Sequence, residues 1–206
     1  NFNSKVIIGI VGKYTNLKDS YKSLIEALEH GGIANNIKVE INWINAEECE
    51  SRLIKNELKN IDGLLIPGGF GYRGIEGKIE AIKYARQNNI PFFGICLGMQ
   101  LAVIEIARNV INKPDANSTE FSSTETPVVS LMTEWINDHK LEKRNLDSDK
   151  GGTMRLGAYK AKLKKGSKIS HIYNSNEIIE RHRHRYEVNS NFTKEFSKEG
   201  FEFTGM

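Results

Sequence analysis

Cys96 stands in the stretch Gly94-Ile95-Cys96-Leu97-Gly98, with the apolar residues Phe92 and Phe93 before it and Leu101 and Ala102 after it. Small-x-nucleophile-x-Gly, between a strand and a helix, is the pattern of a nucleophile elbow. The glycines leave room for backbone that must pass close to an exposed side chain. A thiol at a helix N-terminus faces unpaired N–H groups and the positive end of the dipole, which favours thiolate. The chemistry on offer is attack on a carbonyl carbon. The N–H of Leu97 would then point to where the oxyanion forms, and the N–H of Gly69, from a second glycine-rich loop, would be its partner. The same pattern also suits a small cysteine packed at a tight turn. The local pattern leaves both open.

Alternating strands and helices must position these groups. Val6 to Val11 is a short apolar run of the kind buried on both faces of a sheet. Lys18 to His30 carries apolar residues at helical spacing, with Gly31-Gly32 as its stop signal. Val39, Ile41 and Trp43 alternate with polar residues and predict a second strand. Further elements are expected as a helix over 47–58, a strand over 63–66, a helix over 75–88, a strand over 91–95 and a helix over 97–109. This order implies βαβ crossovers and a parallel sheet. Ligand sites in such sheets gather at the carboxyl ends of the strands. The segments at 67–74 (PGGFGYRG) and 94–98 (GICLG) both follow strands and could meet there.

The second half changes character. Strands are expected over 128–132, 153–163 and 177–188, a polar loop over 137–150, a short helix over 190–199 and a strand beginning at Gly200. The expectation is one α/β domain over residues 1–206: a central, mostly parallel sheet flanked by helices, with additional antiparallel strands in the second half.

Composition excludes several classes. A net charge of +3, with acids and bases mixed along the chain, does not argue for nucleic acid. The chain holds no apolar run of the roughly 18 residues that a membrane span needs, and its start lacks a signal-peptide layout. Two cysteines, Cys49 and Cys96, are too few for a disulfide framework, so a reducing cytoplasm is expected. Cys49, beside Glu47, Glu48 and Glu50, reads as structural, since carboxylates oppose thiolate formation.

Two stretches invite misreading. Gly12-Lys13 follows a strand and hints at a phosphate loop, but Ile7 and Tyr14 break the G-x-x-x-x-G-K-[ST] pattern. Arg181-His182-Arg183-His184-Arg185 could pass for a nucleic-acid patch or a metal site. On a strand its arginines fall on one face and its histidines on the other. Two histidines at i, i+2 make a poor zinc site, and no metal is expected.

GICLGMQ resembles the nucleophile segment of class I, triad-type glutamine amidotransferases. Four further stretches narrow the resemblance to the glutaminase domains of the CTP synthase family: IPGGFGYRGIEGK at 66–78, ANSTEF at 116–121, GGTMRLGAY at 151–159 and ERHRHRYEVN at 180–189. They fall in the family's order, and the resemblance runs from about Lys5 to Met206.

The resemblance implies that Cys96 attacks the carboxamide of L-glutamine and expels ammonia, leaving a thioester that is hydrolysed to glutamate. It implies that Gly69 and Leu97 form the oxyanion hole, and that Gln100, Glu120, Arg185 and the backbone of Tyr186 hold the amino-acid end. A carboxylate such as Glu120 suits an α-ammonium and an arginine suits an α-carboxylate. It also implies an amino-terminal synthetase domain that uses ATP and Mg with UTP, GTP as an activator with Arg73 a candidate contact, no cofactor in the glutaminase domain itself, and a homo-oligomeric full-length enzyme.

The family takes its general base and orienting acid from a His-Pro-Glu segment. None of the five histidines here (His30, His139, His171, His182, His184) precedes Pro-Glu. A C-terminal segment and the synthetase domain are therefore expected to lie outside the 206 residues, and the loops at 121–127 and 137–150 are shorter than the family's. The missing base also motivates a second reading, a non-catalytic docking or regulatory module. A third is another cysteine hydrolase on a similar sheet.

Overall fold

The computed structural model describes residues 2–13, 18–47, 54–131, 134–137, 140–143 and 154–206. These fall into two compact units, Asn1–Asn109 and Val110–Met206.

The first unit is built on a four-stranded sheet. Its strands are β1 (Ser4–Gly12), β2 (Ile37–Asn45), β3 (Gly63–Ile66) and β4 (Phe92–Gly94), in the order β2-β1-β3-β4. Every pairing is parallel, with Ile8 opposite both Ile41 and Gly63, and Leu65 opposite Phe93. The helices α1 (Lys22–Ala34), α2 (Ile54–Leu58), α3 (Ile75–Gln87) and α4 (Leu97–Asn109) supply the connections and the terminal helix. Ile10, Val11, Leu64 and Ile66 of the strands are buried with Ile79, Ile82, Leu101 and Ile104 of the helices. Burial on both faces explains why β3 and the second half of β1 read as continuous apolar runs.

Polar groups also tie this unit together. Glu105 of α4 is fully buried and accepts three hydrogen bonds from the Arg86 guanidinium of α3, at 2.7–3.2 Å. The bond to Glu105 raises the Arg86 pKa.

Strands 63–66 and helix 97–109 match the sequence expectations, and two elements differ. The chain enters α1 through a 3-10 turn at Lys18–Tyr21, and α1 runs through Gly31-Gly32 to Ala34. Gly32 is a close-approach residue: a Cβ there would lie 2.6 Å from the carbonyl oxygen of Ile37. The reversal falls instead to Asn35-Asn36, with Asn36 at φ 55°. Packing the helix onto the strand it feeds outweighs the glycine penalty of about 1 kcal/mol. The expected helix over 47–58 is described only as α2, since 48–53 lie outside the described residues, Cys49 among them.

The second unit holds shorter sheets. β5 (Asn117–Ser118), β6 (Pro127–Leu131) and β11 (Tyr186–Val188) form one, in the order β11-β6-β5. β9 (Arg155–Lys162) and β10 (Glu177–His184) form an antiparallel pair, as do β7 (Glu134–Asn137) and β8 (Lys140–Lys143). The expected strand 177–188 is thus two strands in two sheets, broken at Arg185. Part of the expected polar loop 137–150 is the strand β8.

α5 (Lys168–Tyr173) was not expected. Ser167 caps it by accepting from the N–H of Ser170 at 3.2 Å, a Ser-x-x-Ser signal that the sequence does display. The helical stretch near 190–199 is a 3-10 turn, Ser190–Phe192, followed by α6 (Thr193–Lys198). Among the described residues the tail forms no full strand: it pairs antiparallel at the end of β9 through the bridge of Leu163 to Gly205, with Lys162 and Met206 exchanging backbone hydrogen bonds at 2.6 and 3.0 Å. Phe196, Phe201 and Phe203 pack together behind it, with ring centroids 5.5–5.7 Å apart.

The architecture is therefore α/β, with a parallel sheet flanked by helices and additional antiparallel strands in the second half.

Candidate active site

The turn carrying Cys96 is forced by three close approaches. The N–H of Ile95 donates to the carbonyl of Ile66 at 2.9 Å, so β4 stays beside β3 up to the turn. Cys96 then adopts φ 51°, the left-handed region that costs an L side chain about 1–2 kcal/mol. α4 starts at once: Gly98 N–H donates to Ile95 O at 3.0 Å and Gln100 N–H to Cys96 O at 3.1 Å.

Only glycine fits on either side of the cysteine. A Cβ at Gly94 would lie 2.5 Å from the carbonyl carbon of Gly98, and one at Gly98 would lie 2.2 Å from the carbonyl oxygen of Ile66. The strained cysteine is thereby held half-buried at the positive end of α4. Leu97 opens that helix, so its N–H has no carbonyl within the helix to bond.

The loop after β3 lies against this turn. A Cβ on Gly68 would touch the Cβ of Cys96 at 3.6 Å, and one on Gly69 would touch Cδ2 of Leu97 at 3.5 Å. The two segments expected to meet at the carboxyl edge of the sheet do meet. Further along, Gly71 and Gly74 take φ values of 75° and 69°, which reverse the chain before α3. Phe70 and Tyr72 are exposed. Arg73 is ion-paired through Nε with Glu47 at 2.9 Å. Gln100 is buried on α4.

Two lysines missed by the site reading lie with this loop. Lys13, at the end of β1, donates from Nζ to the carbonyls of Phe70 at 2.6 Å and Gly71 at 3.2 Å. Lys78 on α3 is only 2% exposed. Burial, and next the charge of Lys13, push its pKa down to about 8.

Glu120, Arg185 and Tyr186 belong to the second unit. Ser118 is buried and its hydroxyl accepts from the N–H of Glu120 at 3.2 Å, which shapes the turn after β5. Tyr186 and this turn lie on opposite sides of β6. Tyr186 is opposite Leu131, whose N–H donates to Thr119 Oγ1 at 3.2 Å. The Tyr186 phenol is raised by burial and by the Glu120 charge, against the Arg185 charge, so the three residues share one electrostatic neighbourhood.

Arg185 sits at the break between β10 and β11, and its buried Nε has no hydrogen-bond partner among the described residues. A buried guanidinium donor left open in this way is a natural place for an acceptor such as a carboxylate.

Behind Arg185 lies a cluster that the sequence reading did not assign to the site. His182 and His184 share the more buried face of β10, while Arg181 and Arg183 are exposed, as the strand alternation requires. His184 Nδ1 lies 3.2 Å from Tyr186 O, and His184 Nε2 lies 2.8 Å from His182 Nδ1. A carbonyl only accepts, so His184 carries its proton on Nδ1, its Nε2 accepts, and His182 donates from Nδ1. Their surroundings favour the neutral form of both rings. Burial lowers the pKa of each, and Arg155 lowers both further. Among the described residues no group of three or more His, Cys, Asp or Glu could hold a metal ion. The motif residues 151–153 lie outside the described residues.

Residues 16–206 match the family model of glutamine amidotransferase class-I. The chain is 58% identical over 202 residues to the CTP synthase of Rhizobium etli (strain CIAT 652), covering 98% of this chain and 37% of that protein. It is 56% identical to the CTP synthase of Nitrobacter hamburgensis, covering 100% of this chain and 38% of that protein. The chain thus spans well under half the length of these relatives. Among solved structures, the glutaminase domain of Trypanosoma brucei CTPS with bound acivicin matches at a TM-score of 0.85 and 40% identity, over 97% of this chain and 74% of that one.

Proposed function

The chain belongs to the class-I glutamine amidotransferase family, and on that footing we propose that it hydrolyses the side-chain amide of L-glutamine with Cys96 as the nucleophile. Sγ of Cys96 bonds to the amide carbon and the carbonyl oxygen becomes an oxyanion. The N–H groups of Gly69 and Leu97 receive that charge. The C–N bond breaks, nitrogen takes up a proton and leaves as ammonia, and a γ-glutamyl thioester remains. Water then cleaves the thioester to glutamate and restores the thiol.

The proton-transferring base belongs to the His-Pro-Glu segment implied by the resemblance, which these 206 residues do not contain. Glu120 pairs with the α-ammonium of glutamine and Arg185 with its α-carboxylate, while Gln100 and the Tyr186 backbone complete the grip. The observation that carries this reading is the close approach of the Gly68-Gly69 loop to Cys96-Leu97, around a cysteine held at positive φ.

The relatives named CTP synthase extend the proposal. These residues are the glutamine-hydrolysing part of a longer cytoplasmic, homo-oligomeric enzyme. Its synthetase part aminates UTP to CTP with ATP and Mg, under GTP activation, using the released ammonia.

Glutamate release by the full-length protein tests the reading. Glutamine-dependent CTP formation should vanish in Cys96→Ala while formation from added ammonium salt persists. Undiminished glutamine turnover in Cys96→Ala would overturn it.

A further inference from the structure

Gly12-Lys13 is the segment that looks like a failed phosphate loop, and its lysine has a different employment. β1 lies beside β3 in the sheet, so the residue that follows β1 emerges next to the loop that follows β3. Lys13 reaches across that gap, and its ammonium lies 2.6 Å from the carbonyl oxygen of Phe70 and 3.2 Å from that of Gly71. The loop it holds contains Gly68, Gly69, Gly71 and Gly74, two of them at left-handed φ. Such a segment has high intrinsic backbone freedom.

On the amide-hydrolysis reading above, on which this inference rests, the N–H of Gly69 must point at the oxyanion during attack. A donor counts in catalysis to the extent that it is already oriented.

We propose that Lys13 is the positioning residue of the oxyanion loop: by binding the carbonyls of Phe70 and Gly71 it fixes the peptide planes just beyond Gly69 and keeps the Gly69 N–H aimed at the substrate oxygen. On the other side Gly68 runs close beside the Cys96 turn, where a Cβ added to it would meet the Cys96 Cβ at 3.6 Å. The segment bearing the donor is thereby fastened just beyond Gly69, with Gly68 seated beside the Cys96 turn before it. Lys13 touches no substrate in this role, so its effect falls on the step where charge develops on oxygen. Ground-state binding is left nearly alone.

The test uses the full-length protein with Lys13→Met and Lys13→Arg. Three quantities are measured: kcat and KM for glutamine hydrolysis, the affinity for an aldehyde analogue of glutamine, and the affinity for L-glutamate. The aldehyde forms a thiohemiacetal with Cys96 and places an oxygen in the oxyanion hole, whereas glutamate does not depend on it.

Lys13→Met is expected to lower kcat by roughly 10- to 100-fold with KM changed less than about threefold. Aldehyde affinity should fall by a similar factor, with glutamate affinity unchanged. Lys13→Arg keeps a cationic donor and should recover most of the loss. Wild-type kcat and aldehyde affinity in Lys13→Met would overturn the proposal. So would equal loss of aldehyde and glutamate binding in both variants, which would assign Lys13 to the fold alone. A wild-type protein that neither turns over glutamine nor binds the aldehyde would instead refute the amide-hydrolysis reading.

Discussion

Gly98 lies so close to Ile66 that a Cβ on its Cα would stand 2.2 Å from the Ile66 carbonyl oxygen. This contact seats the first turn of α4 on β3, and with it Cys96 and Leu97. Gly98→Ala must push the helix off the strand, because the obstructing atom is backbone. The expected cost is about 3 kcal/mol, the upper end for overpacking, with loss of thiol reactivity at Cys96. Urea denaturation and thiol labelling of the variant check both parts. A stability within about 0.5 kcal/mol of wild type would contradict the packing account.

Glu105 has no exposed surface and is held by Arg86. Arg86→Met leaves that carboxylate buried without its partner and should cost about 3–5 kcal/mol. Replacing both, Arg86→Met with Glu105→Met, removes the uncompensated charge and should recover most of the loss. A double-mutant cycle in urea measures the difference.

Lys78 carries the opposite kind of load, a cation buried beside a second cation. Its pKa falls from 10.5 to about 8. Between these values the unfolded chain holds a proton that the folded chain has released, so stability rises with pH across that window. Below about pH 8 the charged ammonium costs the folded state on the order of 3 kcal/mol. Lys78→Met should therefore raise the denaturation midpoint at pH 7 and flatten its pH dependence from about 8 to 10.5.

The hydrogen-bonded His182–His184 pair makes a prediction at lower pH. Both rings have pKa values lowered from 6.5. The unfolded chain takes up protons first as pH falls below 6.5, so stability present above that value is lost as pH drops through the folded pKa values. Protonation also turns His184 Nε2 from acceptor to donor, which forces His182 to change tautomer or give up the bond. His184→Asn keeps a donor toward Tyr186 O without titrating. Its denaturation midpoint should vary less than wild type between pH 7.5 and 5.

The parts legible in the sequence were those written in strong local patterns. The apolar run of β3, and the second half of that of β1, are buried on both faces, so no alternation blurred them, and the glycines around Cys96 marked a turn that admits no side chain. Gly31-Gly32 misled because a glycine pair reads as a helix end, while Gly32 serves the helix's seat on β2. The strand 177–188 looked continuous because nothing at Arg185 signals that its halves pair in different sheets. Lys13 was invisible as a site residue because its partners are backbone carbonyls, which leave no trace in residue types. Glu120 and Arg185 entered through resemblance alone. The open Nε of Arg185 and the Glu120 charge felt by Tyr186 are tertiary facts that no spacing encodes.

The most direct test of the central claim is peptide mapping of the full-length protein after treatment with a diazoketone analogue of glutamine. The account predicts one adduct per chain, on Cys96, slowed by excess glutamine and absent in Cys96→Ala. No adduct on Cys96, or equal labelling of Cys49 that glutamine does not slow, would contradict it.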